Sequence, residues 1–156
     1  MTESHLAQIN IAKRLAPLDD PIMLDFVNNL DRINALADKS EGFVWRLKDE
    51  NKELAAQVFQ DEALLINMSV WENIEALFNY TYKSGHIEVF KRKKEWFDKM
   101  KMMHMAFWFI PKGHEPTFLE AKNRLDYLNK HGETPYAFSF KSKFTVTDSL
   151  NYKPVL

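Results

Sequence analysis

Five histidines, four tryptophans and no cysteine set the range of chemistry open to this chain. Without cysteine there is no disulfide, no thiolate nucleophile and no thiolate metal site. Among the histidines, His86 stands out. It follows Ser84-Gly85 and opens a helical stretch, where the positive helix end disfavours an imidazolium. Such a ring stays neutral, and either acts as ligand or base or bonds a neighbouring carbonyl. His104 and Trp108 share one side of an alternating stretch, two pleats apart. On a cavity-lining face they would hold a planar ligand; on a helix-covered face they are core. Asn10 lies in a strand otherwise suited to burial, where an amide needs hydrogen-bond partners. Those partners are either structural or a ligand's.

Other candidates are aromatic or basic. Trp45, Trp71, Trp96 and Trp108 either line a pocket or fill the core. Arg92 sits between Val89 and Trp96 at helical spacing, within reach of a carboxylate. It belongs to the run Lys91-Arg92-Lys93-Lys94, which reads as a solvated face. The turn His114-Glu115-Pro116 either lids a cavity or sets the start of the next helix. The sequence holds no His-x-x-x-His, no glycine-rich phosphate loop and no nucleophile elbow. No redox-cofactor motif is visible either.

The 156 residues carry 21 basic and 22 acidic side chains. A general nucleic-acid binder shows a basic surplus, which is missing here. No stretch approaches the ~20 apolar residues of a membrane span. Met1 to His5 lacks the basic start and apolar run of a signal peptide, and a cytoplasmic protein is expected. At 13%, the aromatic content exceeds what a small core uses, which points to a pocket or a large interface.

These residues must be positioned by a recurring set of elements. Alternation predicts a first strand over 5–12 and a second over 43–48. Asp20 and Pro21 start a helix whose buried side is Met23, Phe26, Val27, Leu30, Ile33 and Ala37. A helical turn is read around Leu54 to Val58. A third strand follows over 63–69, and Ser69-Val70-Trp71-Glu72 reads as a capping box. Its helix is interrupted at Ser84-Gly85 and resumes over 86–99. A fourth strand is expected over 102–110. Thr117-Phe118-Leu119-Glu120 is a second capping box, whose helix ends at His131-Gly132. A fifth strand over 136–140 and an irregular tail from Asp148 complete one domain, 1–156, with its core over about 5–144.

The order β-α-β-β-α-β with an appended helix and strand is the ferredoxin-like plan, an α+β fold. Its antiparallel sheet carries helices on one face and leaves the other to be covered, most simply by a second copy across a two-fold axis.

The segment Ser69-Val70-Trp71-Glu72-Asn73-Ile74-Glu75-Ala76-Leu77, then Ser84-Gly85-His86, Arg92 and Trp96-Phe97, resembles the dimeric α/β-barrel superfamily. That superfamily includes antibiotic-biosynthesis monooxygenase-like and haem-degrading proteins. The run from Ala106 to Thr117, then Glu120-Ala121, Arg124-Leu125 and His131 to Phe138, resembles one domain-of-unknown-function family within it, family 3291. The resemblance spans His5 to Phe144. It implies a homodimeric α/β barrel and a monooxygenase-like enzyme acting on an aromatic or hydrophobic small molecule. The alternative is a non-catalytic binder of haem or another hydrophobic ligand. In that frame Asn10 and His86 are the catalytic candidates, and Trp45, Trp71, Arg92, Trp96, His104 and Trp108 the ligand-binding ones.

Overall fold

The computed structural model describes residues 3–48 and 52–155. Four strands, β1 (Ser4–Lys13), β2 (Phe43–Arg46), β3 (Leu64–Trp71) and β4 (Met105–Pro111), form an antiparallel sheet of order β2-β3-β1-β4. This is the ferredoxin-like order, with β1 at the centre. Helix α1 (Leu24–Asp38) joins β1 to β2. Short α2 (Lys52–Phe59) lies between β2 and β3. Helices α3 (Ile74–Lys83) and α4 (His86–Phe90) lead to β4. The C-terminal part carries α5 (Phe118–His131) and α6 (Val146–Asn151).

The registers place each β1 side chain on one of two faces. Ala7, Ile9 and Ile11 lie level with Val70, Met68 and Ile66 of β3. On the other edge Ala7 and Ile9 lie level with Trp108 and Ala106 of β4. This first face is apolar and fully buried. It is covered by Phe118, Ala121, Leu125 and Leu128 of α5 and by Ala55, Val58 and Phe59 of α2. The appended helix thus supplies from within the chain the cover that the sequence assigned to a second copy.

The second face carries Leu6, Gln8 and Asn10 of β1, Trp71, Ser69 and Asn67 of β3, and Phe109, Phe107 and Met105 of β4. The ferredoxin-like helices pack here, through Ala37 of α1 and Ala76 and Leu77 of α3. Phe138, Phe140 and Phe144 complete the cluster.

Several local readings change. The helix after β3 is capped by Asn73, whose Oδ1 accepts from Ala76 N, and not by Ser69. Strand β3 runs on to Trp71 because Trp71 pairs with Leu6 on one side and Phe43 on the other. The stretch expected to be one helix over 86–99 is α4 plus a 3₁₀ turn, Lys93–Glu95. It breaks up because Leu15 N bonds Trp96 O and Arg14 bridges Phe97, pulling this segment alongside β1. Residues 136–140 form no strand. Phe138 exchanges both backbone bonds with Phe107 on the outer edge of β4, while Ala137 only bridges Thr134 across a local turn. The tail is ordered as α6 behind a full capping box of Thr145 and Asp148. It is tied to α5 by the Tyr127–Tyr152 hydroxyl pair, 2.5 Å apart.

The turn into β2 makes a demand that only glycine meets. Gly42 has φ +81°, and a Cβ there would lie 2.5 Å from the Ala76 Cβ on α3. Gly113 has φ +90° with open space around it. Gly42→Ala is therefore expected to lose about 2–4 kcal/mol in chemical denaturation, adding a steric clash to the backbone strain. Gly113→Ala is expected to lose about 1–2 kcal/mol, the strain alone.

Candidate functional site

On the second face the apolar surface is broken by a row of neutral polar groups. Trp71 Nε1 donates to Ser69 Oγ at 2.8 Å. Gln8 Nε2 donates to the same Oγ at 2.8 Å and to Asn67 Oδ1 at 2.6 Å. Asn10 lies directly opposite Asn67 in the β1–β3 register. The row is graded in burial: Trp71, Ser69 and Gln8 are buried, Asn10 is half-buried and Asn67 is exposed. Asn10 makes no side-chain hydrogen bond among the described residues, so its amide is available to a ligand. Arg46 of β2 pairs with Ser69 on this face, but its guanidinium is clamped to Asp38 by two bonds of 2.8 and 3.2 Å.

His86 lies beyond the opposite end of the row. Its ring packs on Tyr80, 4.9 Å between centroids, and Tyr80 packs on Trp71 at 5.0 Å. Nδ1 bonds the Thr81 carbonyl at 3.2 Å. That bond makes Nδ1 the protonated nitrogen and leaves Nε2 as the lone-pair site. Burial depresses the His86 pKa, opposed by the Thr81 bond, so the ring is neutral at pH 7. Burial also pushes the Tyr80 phenol up to about 12. Asn10 stands four strand positions from Leu6, the partner of Trp71, roughly 13 Å away along the sheet. The fold therefore does not bring Asn10 and His86 to one point. A haem ligated by His86 would meet Tyr80 and Phe90 rings on its flanks, and the amide row would lie behind Trp71. These residues do not fit the group as a joint site.

The remaining candidates have structural partners. Trp108 is buried under α5, with Nε1 donating to Glu120 Oε2 at 2.9 Å. Glu120 Oε1 lies 2.7 Å from His114 Nε2. Thr117 caps α5 as expected; the Glu120 carboxylate turns to Trp108 and His114 instead of closing the capping box. His104 is exposed, and its carbonyl extends the sheet by accepting from Ile11 N. Partial desolvation and the nearby Lys93 ammonium hold its pKa down. Trp45 packs on the α5-covered face. Trp96 is buried beside Phe26, with the Arg92 guanidinium 4.8 Å above its ring. Arg92 bonds Asp25 and Glu95 at the surface. Two depressions, of about 600 and 330 Å³, lie at the Trp71 end and are rimmed by Glu3, Glu41, Glu72 and Glu75. Among the described residues no group of histidine and carboxylate side chains is placed to hold a metal ion.

Gln8, Ser69 and Asn67 were not among the sequence candidates. Each looks unremarkable alone. Only the register lines them up, and the available signal was a polar residue at every second position, Gln8-x-Asn10 facing Asn67-x-Ser69.

Fold and row together define an α+β domain of ferredoxin-like topology with a polar track across one sheet face. The chain belongs to the family described as Domain of unknown function (DUF3291), whose model matches residues 5–153. No curated protein matches it. Solved structures similar in fold include a conserved protein from Methanosarcina mazei Go1, 15% identical, TM-score 0.48, covering 69% of this chain and 92% of its own. Another is PA3566 from Pseudomonas aeruginosa, 14% identical, TM-score 0.47, covering 73% and 99%. A third is SnoaB, a cofactor-independent oxygenase from Streptomyces nogalater, as its N63A mutant, 11% identical, TM-score 0.45, covering 71% and 95%.

Because His86 is held neutral, it opposes folding in acid. The unfolded chain takes up a proton below the ordinary value of 6.5, while the folded chain does so only at lower pH. Stability from this group is complete above 6.5 and is lost as pH falls toward the folded value. The melting temperature of the wild type is expected to drop between pH 7 and 5. His86→Gln, which keeps a donor for Thr81, is expected to drop less over that range.

Proposed function

We propose that this protein is a small monooxygenase-like enzyme whose aromatic or hydrophobic substrate lies against the Asn10–Asn67 end of the polar row. The observation that carries the reading is the unpartnered amide of Asn10, opposite Asn67 at the open end of the polar row.

The helix above supports it. Ala37 of α1 belongs to the same cluster as Leu6. Since α1 runs back over the sheet, the ~13 Å from Leu6 to Asn10 corresponds to roughly nine helical residues. That point on α1 lies beside Leu30, which shares the side of Ala37, and Val27 one turn earlier. Both are 36% exposed. Apolar side chains offered by α1 and amides offered by the sheet would suit a ring system with an oxygen substituent.

The chemistry open to such a site uses neutral donors. As an activated CH₂ group of the substrate loses a proton, negative charge builds on its conjugated oxygen, and amide N–H groups stabilise it there. Dioxygen then accepts the electrons. One oxygen atom enters as the new carbonyl and the other leaves as water with both hydrogens. The substrate supplies every electron, so the balance calls for no outside reductant.

The test is oxygen uptake over a panel of aromatic ketones with an activated CH₂. Wild type is expected to consume oxygen above the buffer rate. Asn10→Leu and Asn67→Leu are each expected to lower that rate by about a hundredfold while melting normally. Unchanged rates in both variants would overturn the site; no uptake with any compound would overturn the turnover.

A further inference from the structure

We propose that Met105 forms the ring-holding half of the site, so that the substrate lies across the strands with its oxygen over Asn10 and Asn67 and an aromatic ring over Met105. This rests on the reading of the Asn10–Asn67 end as the binding surface. It narrows the substrate from hydrophobic compounds in general to aromatic ones.

The second face divides lengthwise. Its rungs across β3, β1 and β4 are Trp71–Leu6–Phe109, Ser69–Gln8–Phe107 and Asn67–Asn10–Met105. Residues level with one another in an antiparallel pair share one side of the sheet, with Cβ atoms about 5 Å apart. Each rung is therefore a row of neighbouring side chains. On β3 every rung brings a hydrogen-bonding group: an indole N–H, a hydroxyl, an amide. On β4 every rung brings an apolar one: Phe109, Phe107, Met105. The chain's own rings meet the first two, Phe138 at 5.4 Å from Phe109 and Phe140 at 4.6 Å from Phe107. At the third rung Met105 is half-buried on the margin of that aromatic cluster, level with half-buried Asn10. It keeps surface that a ligand can cover, and a ligand ring there continues the series of rings along β4.

Spacing and chemistry agree on one orientation. Asn67 and Met105 stand two strand spacings apart, about 10 Å, with Asn10 midway. The amides call for a polar partner on the ligand. The thioether is only a weak acceptor, and its favourable contact is with an aromatic ring. A ligand turned end for end would set its ring against two amides and its oxygen against sulfur, losing both contacts. Leucine would fill a similar volume without the polarisable sulfur. Met105 thus distinguishes aromatic from saturated rings in a way that size alone does not.

The experiment compares 2-acetylnaphthalene with its fully saturated analogue, 2-acetyldecahydronaphthalene, which keeps the oxygen and loses the aromatic ring. Binding is read by titration. The side-chain NH₂ resonances of Asn10 and Asn67 are followed by ¹H–¹⁵N NMR, and ¹³C-labelled methionine methyls by ¹H–¹³C NMR. In wild type the aromatic probe is expected to move the Met105 methyl by its ring current together with the two amides. The methyl of Met103, which packs on the α5-covered face, is expected to stay in place. Met105→Leu is expected to cut the preference for the aromatic over the saturated probe about fivefold, with the affinity for the saturated probe unchanged. The methyl shift needs no variant, so it decides the matter even should Met105→Leu fold poorly. A Met105 methyl that stays in place while the amides respond, or a preference unchanged in Met105→Leu, overturns the placing of the ring and leaves the Asn10–Asn67 site standing. If neither probe moves the amides or the Met105 methyl, the rung is not a binding surface and both readings fall.

Discussion

Strand β1 is hydrogen-bonded on both edges, to β3 and to β4, and this double pairing governs everything around it. A strand held on both sides has no freedom to turn, so successive residues must go to opposite faces. Ala7, Ile9 and Ile11 go one way and need an apolar cover. Leu6, Gln8 and Asn10 go the other and need partners that bond as well as pack. A slip of one residue would bury Gln8 and Asn10 under α5 and offer the isoleucines to the polar row. The register of one strand therefore holds the core and the candidate site in place together.

The two covers differ in kind. Over the apolar face, α5 and α2 seal the sheet with aliphatic and aromatic side chains, and even the Trp108 indole finds Glu120. On the other face, α1 and α3 seal the Trp71 end, where Tyr80 and Ala76 close down on the sheet. Along the row toward Asn10 and Asn67, burial falls. A gradient of this sort lets a site hold amides near solvent, because the groups behind them are already buried and satisfied.

Much of this architecture was legible in sequence, for identifiable reasons. Alternation marked β1 and β4, and the Asp20-Pro21 and Thr117 starts marked their helices, because those signals act within a few residues. Ser69-Val70-Trp71-Glu72 misled because a capping-box pattern and a strand end can share letters, and the pairing of Trp71 with Leu6 and Phe43 decided for the strand. Residues 136–140 alternate like a strand, yet only Phe138 finds an edge to bond. Asn10 could be singled out as an amide in a buried strand. Gln8, Asn67 and Ser69 could not, since what joins them is cross-strand register between segments far apart in the chain. His86 drew attention by its place after Ser84-Gly85, and the Thr81 carbonyl and Tyr80 ring that fix it come from the preceding helix turn.

The placement of α5 bears on how the chain reaches its fold. Ala7, Ile9 and Ile11 are made first, and the helix that covers them is among the last elements to be synthesised. Until residues 118–131 arrive, the sheet presents a continuous apolar face, a surface prone to association with other unfinished chains. The contacts that close it are long-range in sequence, which slows their formation. The C-terminal segment, with the Tyr127–Tyr152 tie behind it, is thus what completes the cover of the apolar sheet face.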